Sequence, residues 1–233
     1  MFIDIDFPVA VSPEQPARIF LQHFSCDAFD DANFSRHAIH CPESIARSVL
    51  KRRAEYFYGR LCAQRALGAA GYSDVQVLTG ASREPLWPAG IRGSISHSDG
   101  IAAAATLPAA GCRGLGIDIA SPIRPDMWSD VVGIAISPQE YQLLANLPGS
   151  PGMERCLALV FSAKESFFKA LFDEVRRIFD FDVLELCGVD FEQRLLRFVV
   201  KEQVCPYFPV GAHCAMPFRD LPDGDVLTVF SWR

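Results

Sequence analysis

A chain of 233 residues, 50% hydrophobic and 21% charged, carries enough apolar surface for one large domain or two small ones and is neither disordered nor fibrous. Its formal net charge of −6 excludes a chain-wide positive field, and with it general nucleic-acid binding. The first residues carry acids where a secretory signal carries bases, and the weakly polar run from Ile101 to Gly111 is too short and too rich in alanine to span a bilayer, so a soluble cytoplasmic protein is expected.

The alternation from Arg18 to Phe24 predicts a strand, followed by an Asp- and Asn-rich loop through Asn33. His37 and His40, next to Cys41, could form a metal pair, but no second ligand cluster accompanies them. The eight cysteines show no zinc-knuckle spacing and are expected to be mostly small buried hydrophobes. From Glu43 to Ala70 there is no proline. Apolar residues at Ile45, Val49, Leu50, Phe57, Leu61 and Leu67 fit one long helix or two shorter ones, ended by Gly71. Six basic residues (Arg47, Lys51, Arg52, Arg53, Arg60 and Arg65) against one acid, Glu55, make this segment either a solvated face or an anion site.

Val75 to Leu78 predicts a strand. Ser82 to Pro88, with two prolines, predicts a stiff loop holding an indole and Arg83 near the surface. In the small, polar stretch Gly93 to Gly100, His97 either offers its ring to a phosphate or is a satisfied turn histidine. Gly114 to Ala120 predicts a strand buried on both faces apart from Asp118. A carboxylate there must be paired, bonded to backbone amides or bound to a metal.

Ser137, Pro138 and Glu140 have the spacing of a capping box opening a helix toward Leu147. After a turn at Pro148 to Gly152, apolar residues at Leu157, Val160, Phe161, Phe168, Leu171 and Phe172 predict a second long helix with Glu165 and Lys169 together on another face. That pair is either an ordinary solvated i,i+4 pair or a site for one small anionic group, the acid acting through a metal. Alternating runs near 183–186, 195–200, 211–216 and 226–230 predict an antiparallel sheet. The helix-then-strands order of each half allows two α+β lobes, 1–120 and 121–233.

Three segments, Gly93-Ser94-Ile95-Ser96-His97-Ser98, Gly116-Ile117-Asp118-Ile119 and Phe161-Ser162-Ala163-Lys164-Glu165-Ser166-Phe167-Phe168-Lys169, together resemble the signature of the 4′-phosphopantetheinyl transferases. The flanking segments Arg53 to Arg60 and Arg83 to Pro88 are similar to the enterobactin-synthetase-component-D branch, and the resemblance spans roughly residues 45 to 175. It implies an α+β monomer of two similar lobes related by a pseudo-twofold axis, with coenzyme A in the cleft. The implied reaction is Mg²⁺-dependent transfer of the phosphopantetheine arm to a serine of an apo acyl or peptidyl carrier protein, as in fatty-acid or siderophore synthesis, releasing adenosine 3′,5′-bisphosphate.

By the same resemblance, Asp118 and Glu165 hold Mg²⁺, and Lys169 stabilises or protonates the leaving phosphate. Lys164 contacts phosphate or tunes Glu165. Arg53 and Arg60 cradle the 3′-phosphate, Ser96 and His97 contact coenzyme A, and Arg83 to Pro85 border the adenine. The proton of the carrier serine goes to Glu140, to Glu165 or to a metal-bound water, and the capping-box reading of Glu140 competes with its catalytic one.

Many members of the family carry a further glutamate where this chain has Ala120. The substitution is the support for an alternative, a non-catalytic protein that binds coenzyme A or a carrier protein through a weakened metal site. Under the transferase reading it loosens Mg²⁺ binding. Ala120→Glu is therefore expected to lower the half-saturating Mg²⁺ of the transfer rate, and an unchanged value in a Mg²⁺ titration would count against that role for the position.

Overall fold

A computed structural model describes residues 2–9 and 16–233. The chain divides into two compact units, Met1–Leu115 with Trp232–Arg233, and Gly116–Ser231.

The first unit is built on a four-stranded antiparallel sheet of β1 (Phe2–Phe7), β2 (Ala17–His23), β5 (Ile91–Ser98) and β6 (Ile101–Pro108), in the order β1-β2-β6-β5. The weakly apolar alanine run is its inner strand β6, where Ile101 to Ala105 are all buried. Alanines leave a shallow surface, so the helix α3 (Leu50–Ala69) lies close on β6. Ala63, Ala66 and Leu67 pack there with Ala102 and Ala104, and Thr106 Oγ1 donates to the Ala66 carbonyl at 3.2 Å.

Two short helices, α1 (Ala32–Arg36) and α2 (Glu43–Ala46), precede α3. The segment expected as one or two helices is therefore two, broken at Val49, whose backbone is extended. Val75 to Leu78 does not form the expected strand. Only Leu78–Thr79 (β3) pairs, with Pro85–Leu86 (β4), in a two-stranded hairpin. The expectation that two prolines bar regular structure here is corrected for Pro85, which sits in an edge pair where its missing N–H is tolerated.

Trp87 does not stand at the surface but packs against the α3–β6 core. Gly93 makes room for it, because a Cβ there would fall 2.4 Å from the indole. The segment around His97 is likewise not a loop. It is strand β5, joined to β6 by Asp99 and Gly100, the latter at φ +75°.

The second unit is built on β7 (Gly114–Ala120), β8 (Leu184–Asp190), β9 (Leu195–Val200), β10 (His213–Asp220) and β11 (Val226–Trp232), in the order β7-β11-β10-β9-β8. The β8–β9, β9–β10 and β10–β11 pairs are antiparallel, at the four runs expected. Between β7 and β8 come α4 (Trp128–Val131), α5 (Pro138–Ala145) and α6 (Met153–Val175). The Ser137 capping box of α5 is present in full.

All of β7 is buried, and its backbone meets α6 directly: a Cβ on Gly116 would lie 1.8 Å from the Ser166 carbonyl oxygen. The buried face of α6 runs through Leu157, Val160, Ser162, Ala163, Lys164, Ser166, Phe167, Ala170 and Leu171, while Phe161, Phe168 and Phe172 are only half-buried. Five cysteines are buried, two are half-buried and Cys187 is exposed, all of them free. Burial pushes the Cys62 and Cys214 thiols up to about 12, in keeping with apolar roles.

Gly116→Ala is expected to destabilise the protein by about 3 kcal/mol, because strand and helix would have to part. Gly68→Ala, in α3 with open space around it, should instead stabilise by about 0.5–1 kcal/mol. Urea melts of the two variants check both, and equal midpoints would refute the packing argument.

Candidate active site

Asp118 lies in β7, 6% exposed, and its Oδ1 accepts a hydrogen bond from Lys169 Nζ at 2.7 Å. Lys169 also donates to the Ile117 carbonyl at 3.2 Å, so it bridges from α6 to the strand. The carboxylate that is costly in an apolar strand is thus paired. Glu165 stands one turn before Lys169 on α6. Burial pushes its carboxyl above the usual range, the Lys169 ammonium opposes this, and the Asp118 charge adds to it. Two acids and one lysine therefore share an electrostatic environment, and the reading of Glu165 and Lys169 as a solvated surface pair does not hold.

A cavity of about 560 Å³ opens beside this cluster, lined by Glu165 and Lys164 and by Phe167, Phe168, Phe179 and Ile178. It brings three carboxylates, Glu165, Asp180 and Asp182, beside an apolar wall.

Lys164 and Glu140 form a second, fully enclosed pair. Lys164 Nζ lies 2.8 Å from Glu140 Oε2, with the two side chains 3% and 0% exposed. Lys164 also donates to the Ala135 carbonyl at 2.8 Å. Glu140 Oε2 accepts from Ser137 N–H and its Oε1 from Leu186 N–H, each at 2.7 Å. One carboxylate thus closes the α5 capping box, fixes β8 and balances a buried lysine. Burial pulls the Lys164 ammonium below its ordinary range, and Glu140 restores part of the loss.

In the first unit, Arg52 Nη1 lies 2.9 Å from His97 Nε2. An arginine only donates, so His97 Nε2 accepts and the ring carries its proton on Nδ1, which faces Glu55 Oε2 at 3.7 Å. Glu55 also lies 3.5 Å from Arg52. Arg53 points elsewhere, to Asp31 at 2.8 Å and the Ser48 carbonyl at 2.6 Å. Reading the sequence counted Arg52 among the basic residues of this helix but singled out Arg53, whereas Arg52 is the one beside His97. The available signal was helical phase: Arg52, Glu55 and Gly59 form one stripe, and a Cβ on Gly59 would press on Ile95 of β5 at 2.9 Å, so this stripe faces the His97 strand.

Arg60 is only 8% exposed. Its guanidinium donates to Thr79 Oγ1 at 3.0 Å and stacks 4.6 Å over the Tyr56 ring, while its Nε, also buried, has no hydrogen-bond partner. Burial pulls its pKa down. Arg83 is exposed at φ +70° at the β3–β4 turn, Pro85 is half-buried, and Ser96 is buried in β5 opposite Ala103. His37 packs its ring on Phe57, and among the described residues no group of three or more His, Cys, Asp or Glu side chains is placed to hold a metal.

Residues 41–107 match the 4′-phosphopantetheinyl transferase N-terminal domain, and residues 114–214 the 4′-phosphopantetheinyl transferase superfamily. Among curated proteins, the chain is 37% identical over 174 residues to 4′-phosphopantetheinyl transferase Svp of Streptomyces mobaraensis, an alignment covering 73% of this chain and 68% of the relative. It is 34% identical over 145 residues to enterobactin synthase component D of Escherichia coli O157:H7, covering 61% and 67%. It is also 34% identical over 140 residues to 4′-phosphopantetheinyl transferase PptT of Mycobacterium tuberculosis, covering 59% of each. With the acid pair and lysine of the signature segments gathered in the second unit, and matches running through both units, the chain belongs to the 4′-phosphopantetheinyl transferases.

Proposed function

We propose that this protein transfers the 4′-phosphopantetheine arm of coenzyme A to a serine of apo acyl or peptidyl carrier proteins, acting as a monomer in the cytoplasm. The observation that carries the reading is the grouping of Asp118, Lys169 and Glu165, two acids and a lysine, of which Glu165 lines a cavity. Each unit lays a long helix on a sheet, α3 on β6 and α6 on β7, which supports two similar α+β lobes. No helix among the described residues is long and apolar enough to cross a membrane.

The serine oxygen of the carrier forms a bond to the phosphorus bearing the pantetheine. The bond from that phosphorus to the bridging oxygen breaks, and adenosine 3′,5′-bisphosphate leaves. Lys169, held on Asp118, sets a positive charge where negative charge develops on the leaving phosphate. Of the two acids considered for the serine proton, Glu165 is the one that lines the cavity. Glu140 has both oxygens taken by N–H donors and serves to fix Lys164.

The donor set fits magnesium: two hard oxygen ligands, Asp118 and Glu165, in a site where burial and mutual repulsion favour an added positive charge. When bound, that ion neutralises charge on the pyrophosphate oxygens. Ala120, 8% exposed at the end of β7, adds no ligand.

Arg60, buried with an unpartnered Nε, is matched to the 3′-phosphate, and Arg52 with His97 to a further phosphate of coenzyme A. Arg53 and Arg83 then lie at the margin of the cofactor site, with Ser96 shaping β5 behind His97.

The deciding test is the mass of an apo carrier protein after incubation with the enzyme, coenzyme A and Mg²⁺. One added phosphopantetheine is expected, and coenzyme A binding without transfer would select the non-catalytic alternative. Asp118→Asn and Lys169→Met should each lower kcat about 100-fold or more. Arg60→Ala should raise KM for coenzyme A about tenfold and leave that for 3′-dephospho-coenzyme A unchanged, whereas an equal effect on both would remove Arg60 from the 3′-phosphate.

Glu165 also sets a stability expectation. Its folded pKa is raised, so the folded state binds the proton more tightly, and stability is lost as pH rises from the ordinary value of 4.5 through the folded one. Glu165→Gln without divalent cations should therefore raise Tm at neutral pH, with the gain vanishing toward pH 4.5. A variant melting below wild type at pH 7 would contradict this.

A further inference from the structure

Three buried hydroxyls tie the acid-bearing elements together. Ser162 and Ser166 sit one turn apart on α6 and Thr228 lies on β11, all three 0% exposed. Ser162 Oγ donates to the main-chain carbonyl of Asp118 at 3.1 Å and lies 2.9 Å from Thr228 Oγ1. Ser166 Oγ lies 2.8 Å from the same Thr228 oxygen and 3.2 Å from the Thr228 carbonyl.

A hydroxyl has one proton to give, which orders the chain. The Ser162 proton goes to Asp118 O, so the Ser162–Thr228 bond uses the Thr228 proton. Ser166 has two acceptors within reach, the Thr228 carbonyl at 3.2 Å and Thr228 Oγ1 at 2.8 Å, and with the Thr228 proton committed to Ser162 its own proton goes to the nearer, Thr228 Oγ1. The direction is Ser166 to Thr228 to Ser162 to the Asp118 carbonyl, a sequence in which each bond polarises the next. It spans the elements that present Asp118 on one side and Glu165, between the two serines, on the other.

We propose that Thr228 is a positioning residue for the metal-binding acids: its hydroxyl, accepting from Ser166 and donating to Ser162, fixes the separation of Asp118 and Glu165. Thr228 lies beyond the segment 114–214 that matches the family, so its role comes from the contacts alone. The inference rests on the reading of Asp118 and Glu165 as magnesium ligands. Hydroxyls that orient ligands without touching the ion act on affinity more than on folding. Thr228→Val is nearly isosteric and leaves both serines an acceptor, Asp118 O for Ser162 and the carbonyl of residue 228 for Ser166, so no buried proton is stranded.

The test uses the full chain and Mn²⁺ binding measured by electron paramagnetic resonance without turnover, alongside Mg²⁺ titrations of the rate. Thr228→Val is expected to weaken Mn²⁺ binding and raise half-saturating Mg²⁺ by about tenfold, with KM for coenzyme A unchanged, and Thr228→Ser to restore both. Should Thr228→Val fail to fold, Ser162→Ala is expected to give the same shift. Wild-type Mn²⁺ binding in a folded variant, or a Thr228→Ser variant as impaired as the valine, would overturn the positioning role alone. Equal Mn²⁺ binding by wild type and Asp118→Asn would overturn the metal reading and this inference together.

Discussion

The contact on which the second unit depends is the approach of β7 to α6 at Gly116, closer than any side chain allows. Backbone lying on backbone sets the height and phase of the helix over the strand. Lys169 therefore falls on Asp118, two residues along the strand. With a larger residue in place of Gly116 the helix would lie farther out, and the lysine would have to stretch to reach the carboxylate. A packing constraint in this way fixes an electrostatic distance, which matters because charge interactions inside a protein change steeply with separation.

Buried polar groups follow two patterns. In the second unit charges are neutralised in pairs, Lys169 with Asp118 and Lys164 with Glu140, and the hydroxyls on α6 are hydrogen-bonded. In the first unit Arg60 is buried on an aromatic ring with its Nε unmatched; burial lowers its pKa and Tyr56 opposes the shift.

Much of this was legible in the residues. The buried strand 114–120, the capping box at Ser137, the α6 helix and the four C-terminal strands followed from periodicity and turn chemistry. The failures have physical causes. The alanine run was too weakly apolar to announce a central strand, because its burial comes from the closeness of α3 and not from side-chain size. The small, polar stretch from Gly93 to Gly100 carried no strand signal, yet Gly93 is a strand residue that yields space to Trp87. Arg52 and Arg53 differ by one helical step, and only the neighbour of each, His97 for one and Asp31 for the other, tells them apart. Thr228 had no signal at all, since an isolated threonine in a strand is ordinary.

The enclosed pair of Lys164 and Glu140 constrains how this chain diverges over generations. Losing one member strands the other charge, at a cost of about 3–5 kcal/mol, a large share of what a domain has to spare. Exchanging both together for apolar residues of similar volume is nearly neutral by comparison. Drift at these two positions is therefore correlated, passing through double replacements and avoiding single ones. Glu140 also closes the α5 cap and anchors β8, so a double replacement disturbs helix and strand as well, and these two positions are held more firmly than their ion pair alone would hold them.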